Sequence, residues 1–220
     1  MKLAALVSGG KDSWLAVDKM KDRYSVEYLI CVEPKPDSPF LHSENLDMVK
    51  LQSEASGIPL LWGESEDEGL GALEEAVERV KDKIDGIVSG AIASNYQKER
   101  VESICQKLDL ECLTPLWKED EKELMQELLD RSYGVVFTKV AAQGLDDRWL
   151  GRILDRKALE DLKELKEKYG IHIAGEGGEF ETLVVDCPLF KKRLELKDVR
   201  RRWEGKTKTG YLDILDAEAV

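Results

Sequence analysis

Five apolar residues, Leu3 to Val7, run without a break into Ser8-Gly9-Gly10-Lys11-Asp12-Ser13, and a helical pattern starts inside that hexapeptide and reaches Lys21. A short apolar strand, a glycine turn and a helix in direct succession form the opening unit of a parallel α/β sheet. In such sheets the loop at the carboxyl end of a strand faces the ligand crevice. Two adjacent glycines let the backbone approach a ligand closely and adopt positive φ. The first N–H groups of the helix, the Ser8 and Ser13 hydroxyls and the Lys11 ammonium then make a concave donor set for an oxyanion. Asp12 beside phosphates is repulsive unless it helps to hold Mg2+, which assigns it as the metal ligand.

The rest of the chain continues the alternation. Tyr24 to Val32 predicts a second strand, ended by Pro34, Pro36 and Pro39; Asn45 to Ser56 predicts a helix and Ile58 to Leu61 a short strand. Leu70, Leu73, Val77 and Val80 share one helix face. Asp85 to Gly90 reads as a turn and a buried strand. Val101, Ile104, Cys105 and Leu108 mark a further helix, as do Leu124, Met125, Leu128 and Leu129, and Gly134 to Lys139 closes the series. Beyond about residue 140 the pattern changes to a charged helix, Arg156 to Tyr169, a Gly/Glu-rich loop, Gly175 to Glu181, and short strand-like segments. The expectation is a parallel, doubly wound α/β sheet over residues 1–135. A smaller α+β part, residues 136–220, would complete the site.

Composition excludes several classes. The chain has 220 residues, 42% of them apolar, which is material for a core and excludes disorder as the main state. Its 45 acidic and 33 basic residues give a net charge of −12, against a broadly basic nucleic-acid binder. No apolar run approaches the roughly 20 residues that span a bilayer, and no signal-peptide pattern follows Lys2. Four cysteines, Cys31, Cys105, Cys112 and Cys187, form no CxxC pair, and only two histidines are present, so free thiols in a reducing cytoplasm are expected rather than zinc. Nine basic residues between Lys191 and Lys208 face three acidic ones, a local +6 that leaves −18 on the remainder. That segment is either an ion-paired face or a docking patch for a macromolecule. Gly205-Lys206-Thr207 mimics the end of a Walker A loop, but position 200 is arginine, and Gly69-Leu70-Gly71 lacks the third glycine of a dinucleotide fingerprint.

Ser8 to Ser13 resembles the SGGxDS signature of the N-type PP-loop ATP pyrophosphatases. That resemblance implies an adenine nucleotide α-hydrolase fold. It also implies an ATP-binding role for Ser8, Gly9, Gly10, Lys11, Asp12 and Ser13, and cleavage between the α and β phosphates with AMP placed on a substrate oxygen. Further blocks are Ser89-Gly90-Ala91-Ile92-Ala93-Ser94-Asn95-Tyr96-Gln97-Lys98-Glu99-Arg100-Val101-Glu102, Pro115-Leu116-Trp117 and Gly175-Glu176-Gly177-Gly178-Glu179-Phe180-Glu181-Thr182. With them the chain, from Lys2 to about Asp213, resembles the diphthine–ammonia ligase family in its short archaeal-type form. Phe180 stands where that family usually has tyrosine, which removes a hydroxyl at that position.

The resemblance implies amidation of diphthine on translation elongation factor two, with ATP and Mg2+ as cofactors. The carboxylate is adenylated and ammonia displaces AMP. A chain of 220 residues leaves no room for a glutaminase, so free ammonia or a separate donor is expected. Ser89 and Gly90 join the ATP site. Ser94, Tyr96, Gln97, Arg100 and Trp117 are assigned to the substrate, as are Gly177, Gly178, Glu181 and Thr182. Lys11, Asp12, Glu176 and Glu179 are assigned to catalysis. Three carboxylates within six residues repel one another unless a cation binds, which fits the quaternary ammonium of diphthine, ammonium itself, or a general base. Trp117 or Tyr96 would add a cation–π face. His172 reads as a strand residue without a carboxylate partner. The expected setting is cytoplasmic, with a protein substrate, no membrane, no direct nucleic acid, and self-association as a homo-oligomer left open. A tRNA thiolase of the same superfamily would need paired cysteines, and a nucleotide-binding sensor would lack the full loop. A free-standing small-molecule amidating enzyme stays open.

Overall fold

Leu3, Ala4 and Ala5 expose no surface to water, so the first strand is covered on both faces, as a central parallel strand must be. The computed structural model describes residues 1–33, 45–64 and 70–220, so Pro34, Pro36, Pro39 and Gly69 lie outside the described residues. It divides into two compact units, Met1–Lys118 and Glu119–Val220.

In the first unit β1 (Lys2–Leu6), β2 (Ser25–Glu33), β3 (Leu60–Glu64), β4 (Gly86–Val88) and β5 (Glu111–Leu113) pair in the order β3-β2-β1-β4-β5, every pair parallel. Helices α1 (Lys11–Met20), α2 (Met48–Ser56), α3 (Leu70–Glu78) and α4 (Asn95–Lys107) lie between the strands in sequence. The two-residue period of the strands sorts these helices onto two faces. Ala4, Ile30, Val32 and Ile87 cluster with Leu73, Ala76 and Val77 of α3 and Val101, Ile104 and Cys105 of α4. The alternate positions, Leu3, Ala5, Leu29 and Cys31, are equally buried. There α1 lies against β1 and β2, and the Trp14 indole joins it to Gln52 of α2. This is the doubly wound sheet expected from the alternation. The chain winds outward through β2 and β3, then returns to the other side of β1, so winding reverses between β1 and β4.

The second unit holds α5 (Glu121–Asp130), β6 (Gly134–Val140), α6 (Arg156–Tyr169), β7 (Phe180–Asp186), β8 (Leu194–Glu204) and β9 (Thr209–Ala219). Its strands form an antiparallel sheet in the order β7-β6-β9-β8. The Asp120 carboxylate accepts the N–H groups of Lys122 and Glu123 and so caps α5. The Asp155 carboxylate accepts that of Ala158 and caps α6, which stops at Gly170 with φ +74°.

Two expectations are corrected here. Gly134 to Lys139 does not close the parallel series, because β6 pairs antiparallel with β7 and β9. A short apolar run buried on both faces carries no record of its pairing direction. The segments beyond residue 190 are not short either; β8 and β9 are eleven residues each.

The four cysteines are free, and burial pushes the Cys31 thiol up to about 12. Among the described residues no helix is long and apolar enough to cross a membrane.

Candidate functional site

The loop after β1 is shaped by backbone geometry. Gly9 has φ +85°, a conformation that a side chain disfavours. Gly10 is extended and caps α1 with no side-chain bond, having no side chain to offer. The Ser13 hydroxyl donates to the Gly10 carbonyl at 2.9 Å. Lys11, only 3% exposed, places its ammonium 2.9 and 2.8 Å from the two Asp12 oxygens, while Asp12 is 26% exposed and Ser8 is exposed. Opposite charges thus stand side by side at the rim.

Ser89 and Gly90 follow β4. The Ser89 N–H donates to the Leu113 carbonyl, and its hydroxyl accepts the Ala91 N–H at 3.4 Å. A Cβ at Gly90 would lie 2.7 Å from the backbone carbon and oxygen of Asp12 and from the Ser13 nitrogen. The loops after β1 and β4 therefore touch where the winding reverses, the place at which open parallel sheets form their crevice. Sequence spacing brings none of this together, yet the structure gathers Ser8 to Ser13 with Ser89 and Gly90.

On α4, the Ser94 hydroxyl accepts the Gln97 N–H at 3.3 Å and caps the helix. The Arg100 guanidinium stacks 3.5 Å from the Tyr96 ring centre, and the Lys98 ammonium lies 4.6 Å from that of Trp117. Each of these rings faces a cation of the chain on one side.

In the second unit, Gly175 and Gly178 have φ +79° and +80° and shape the glycine/glutamate loop. Glu179 accepts the His172 N–H with one oxygen and the Gly177 N–H with the other, both at 2.8 Å. Glu181 pairs with Lys139 across the β6–β7 register at 2.8 Å. Protein donors thus relieve the repulsion expected among the three carboxylates at two of them, and no external cation is needed there. Glu176 is half-buried and Gly177 and Gly178 are exposed at the turn; Thr182 lies on β7 opposite Phe137. Phe180 is buried edge-on against Phe137, 5.0 Å between ring centres, so its ring packs in the core.

Two buried polar residues escape a reading from sequence. Gln52, fully buried, reaches the Gly9 carbonyl from α2. Glu121 opens α5, where an acidic residue reads as an ordinary helix-start charge. Yet one of its oxygens accepts the Ile173 N–H at 2.8 Å, and the other meets the Lys166 ammonium. His172, expected to lack a carboxylate partner and to lie in a strand, sits in a loop with Nδ1 3.3 Å from the Glu121 carboxylate.

Part of the basic stretch lies on the β8–β9 hairpin and is ion-paired at Lys197, Arg200 and Arg202. Asp213 takes Arg200 at 2.9 Å and Arg202 at 3.2 Å, Lys197 meets Glu218 and Glu195, and the Arg201 Nε donates to the Leu150 carbonyl. Among the described residues no group of three or more His, Cys, Asp or Glu side chains gathers to hold a metal ion.

Comparison with known proteins agrees along the chain. The family model for the diphthamide synthase N-terminal domain matches residues 1–112, and that for its C-terminal domain matches residues 120–220. Among curated proteins, diphthine–ammonia ligase of Bos taurus is 37% identical over 222 residues, covering 88% of this chain and 82% of that protein. The Homo sapiens protein of the same name is 35% identical with the same coverage. The Saccharomyces cerevisiae protein of that name is 33% identical over 97% of this chain, which spans 37% of its length. With both halves matched and relatives above 30% identity over most of their length, the chain belongs to the diphthamide synthase family.

Proposed function

We propose that this protein is an ATP-dependent ligase that converts the carboxylate of diphthine on elongation factor two to the amide of diphthamide, using ammonia and releasing AMP and pyrophosphate. ATP supplies the adenylate leaving group that makes the carboxylate reactive toward ammonia. One observation carries the proposal: Gly90 is pressed on the Asp12–Ser13 backbone beside a glycine turn and a helix start without a side-chain cap. That backbone surface suits a chain of phosphates, which needs N–H donors at close range. The names of the relatives point to the same reaction.

The residues divide the work as follows. The α1 N–H groups, the Ser8 and Ser13 hydroxyls and Lys11 bind the phosphates and stabilise the departing pyrophosphate. Asp12 holds Mg2+, which is commonly bound through one carboxylate and substrate phosphates. Ser89 and Gly90 close the nucleotide site from β4. Ser94, Tyr96, Gln97, Arg100 and Trp117 meet the substrate. Glu176 faces the incoming ammonia as base, with Gly177, Gly178, Glu181 and Thr182 around the diphthine group. Glu179 acts through the loop it clamps and is a positioning residue. Free cysteines suit a cytoplasmic setting with this protein substrate.

The test is the nucleotide product. With Mg2+, ammonium and diphthine-bearing elongation factor, ATP should give AMP and pyrophosphate; ADP and phosphate would overturn the proposed bond cleavage. Asp12→Ala should lower turnover by about a hundredfold or more while leaving the melting temperature nearly unchanged.

A further inference from the structure

We infer that Gln52 is a positioning residue for the phosphate loop, fixing which way the Gly10 N–H points; this rests on the reading of that loop as a triphosphate site. Gln52 and Trp14 are both 0% exposed. The Gln52 Nε2 donates to the Gly9 carbonyl at 3.0 Å, and its Oε1 accepts the Trp14 indole N–H at 2.9 Å. The two bonds determine the amide's orientation. Turned over, it would set donor against donor at the indole and acceptor against acceptor at Gly9.

The consequence follows from peptide geometry. The chain has no cis peptide among the described residues, so in the Gly9–Gly10 peptide the carbonyl and the N–H point in opposite directions. The carbonyl is directed at a wholly buried side chain. The Gly10 N–H is therefore directed away from that side chain, to the opposite side of the peptide. Between two glycines that peptide has unusual freedom to flip. Flipped, it would present a carbonyl oxygen to the phosphates and take a donor away. Gln52 holds the donor side outward. Its bond to Trp14 of α1 ties that choice to the helix whose first N–H groups complete the same anion surface.

Substitution at this position separates hydrogen bonding from packing. Gln52→Met keeps the volume and loses the donor. Gln52→Glu keeps the shape, and only its protonated form can donate to Gly9 while accepting from Trp14. Burial raises the pKa of such an acid, and its stand-in for the amide is present below that pKa and lost above it.

The experiment is calorimetric titration of the full chain with Mg-ATP at several pH values, each variant compared with wild type at the same pH and checked for folding by its melting temperature. Expected is a loss of about tenfold or more in affinity for Gln52→Met at every pH. For Gln52→Glu the loss should shrink as pH falls. If both variants bind like wild type, the positioning role is overturned. A constant deficit in Gln52→Glu at all pH values also overturns it, because packing alone would then explain the effect. Wild type that binds no Mg-ATP would overturn the phosphate-loop reading itself, and this inference with it.

Discussion

A methyl group at position 90 has nowhere to go, because three backbone atoms of Asp12 and Ser13 lie 2.7 Å from where it would sit. Backbone cannot rotate aside as a side chain can, so Gly90→Ala must push the β1 and β4 loops apart. The expected cost is about 1–3 kcal/mol of stability, with a loss of ATP turnover larger than the stability change explains. Gly205→Ala, with nothing within 4 Å of its Cβ, should be neutral to within about 0.5 kcal/mol. Denaturant unfolding and turnover of both variants check this, and a Gly90→Ala protein that matches wild type in both would refute the close contact. At this scale legibility depends on sequence distance. Gly9 and Gly10 announce themselves because strand, turn and helix are contiguous. Gly90, assigned to the ATP site at the end of a buried strand, gives no sign in sequence of its close contact with Asp12 and Ser13. Gln52 lies among Lys50, Ser53 and Glu54, so only its burial and its bonds to Gly9 and Trp14 distinguish it from a solvated helix residue.

Among the elements, those with local start and stop signals were readable. The helix expected over Arg156 to Tyr169 has those bounds because Asp155 caps it and Gly170 ends it in the left-handed region. Strand direction was not readable, since β6 is apolar on both faces whichever way it pairs. The glycine/glutamate loop was legible as a motif, but its internal bonds were not, nor was the tie from α5 to the residues before it. Glu121 binds the Ile173 N–H and Lys166 at the entry to that loop. Removing it by Glu121→Ala leaves a buried N–H and a part-buried ammonium without that acceptor, at a cost of about 1–3 kcal/mol. Hydrogen exchange at the Ile173 amide should accelerate and turnover should fall, while Glu121→Gln, which keeps an acceptor, should restore most of the protection. Unchanged exchange in Glu121→Ala would show that the loop is held by other groups.

For the whole molecule, the net charge of −12 and the local +6 left the basic stretch as either an ion-paired face or a docking patch on an acidic body. The folded hairpin changes that picture. Asp213, Asp216 and Glu218 of β9 are added to the acidic residues of β8, and residues 191–220 carry only +3. Exposed pairs of this kind contribute little energy, yet they neutralise the field that would steer a partner. The proposed function rests on two loops, one at the switch point of the parallel sheet and one clamped by Glu179 in the second unit. The most direct measurement of the central claim supplies isotopically labelled ammonium, ATP and Mg2+ to diphthine-bearing elongation factor two and follows the modified histidine by mass spectrometry. The account predicts labelled nitrogen in the new amide, formed only with ATP and matched by equal AMP. Label incorporated without ATP, or AMP formed with no labelled amide, would contradict it.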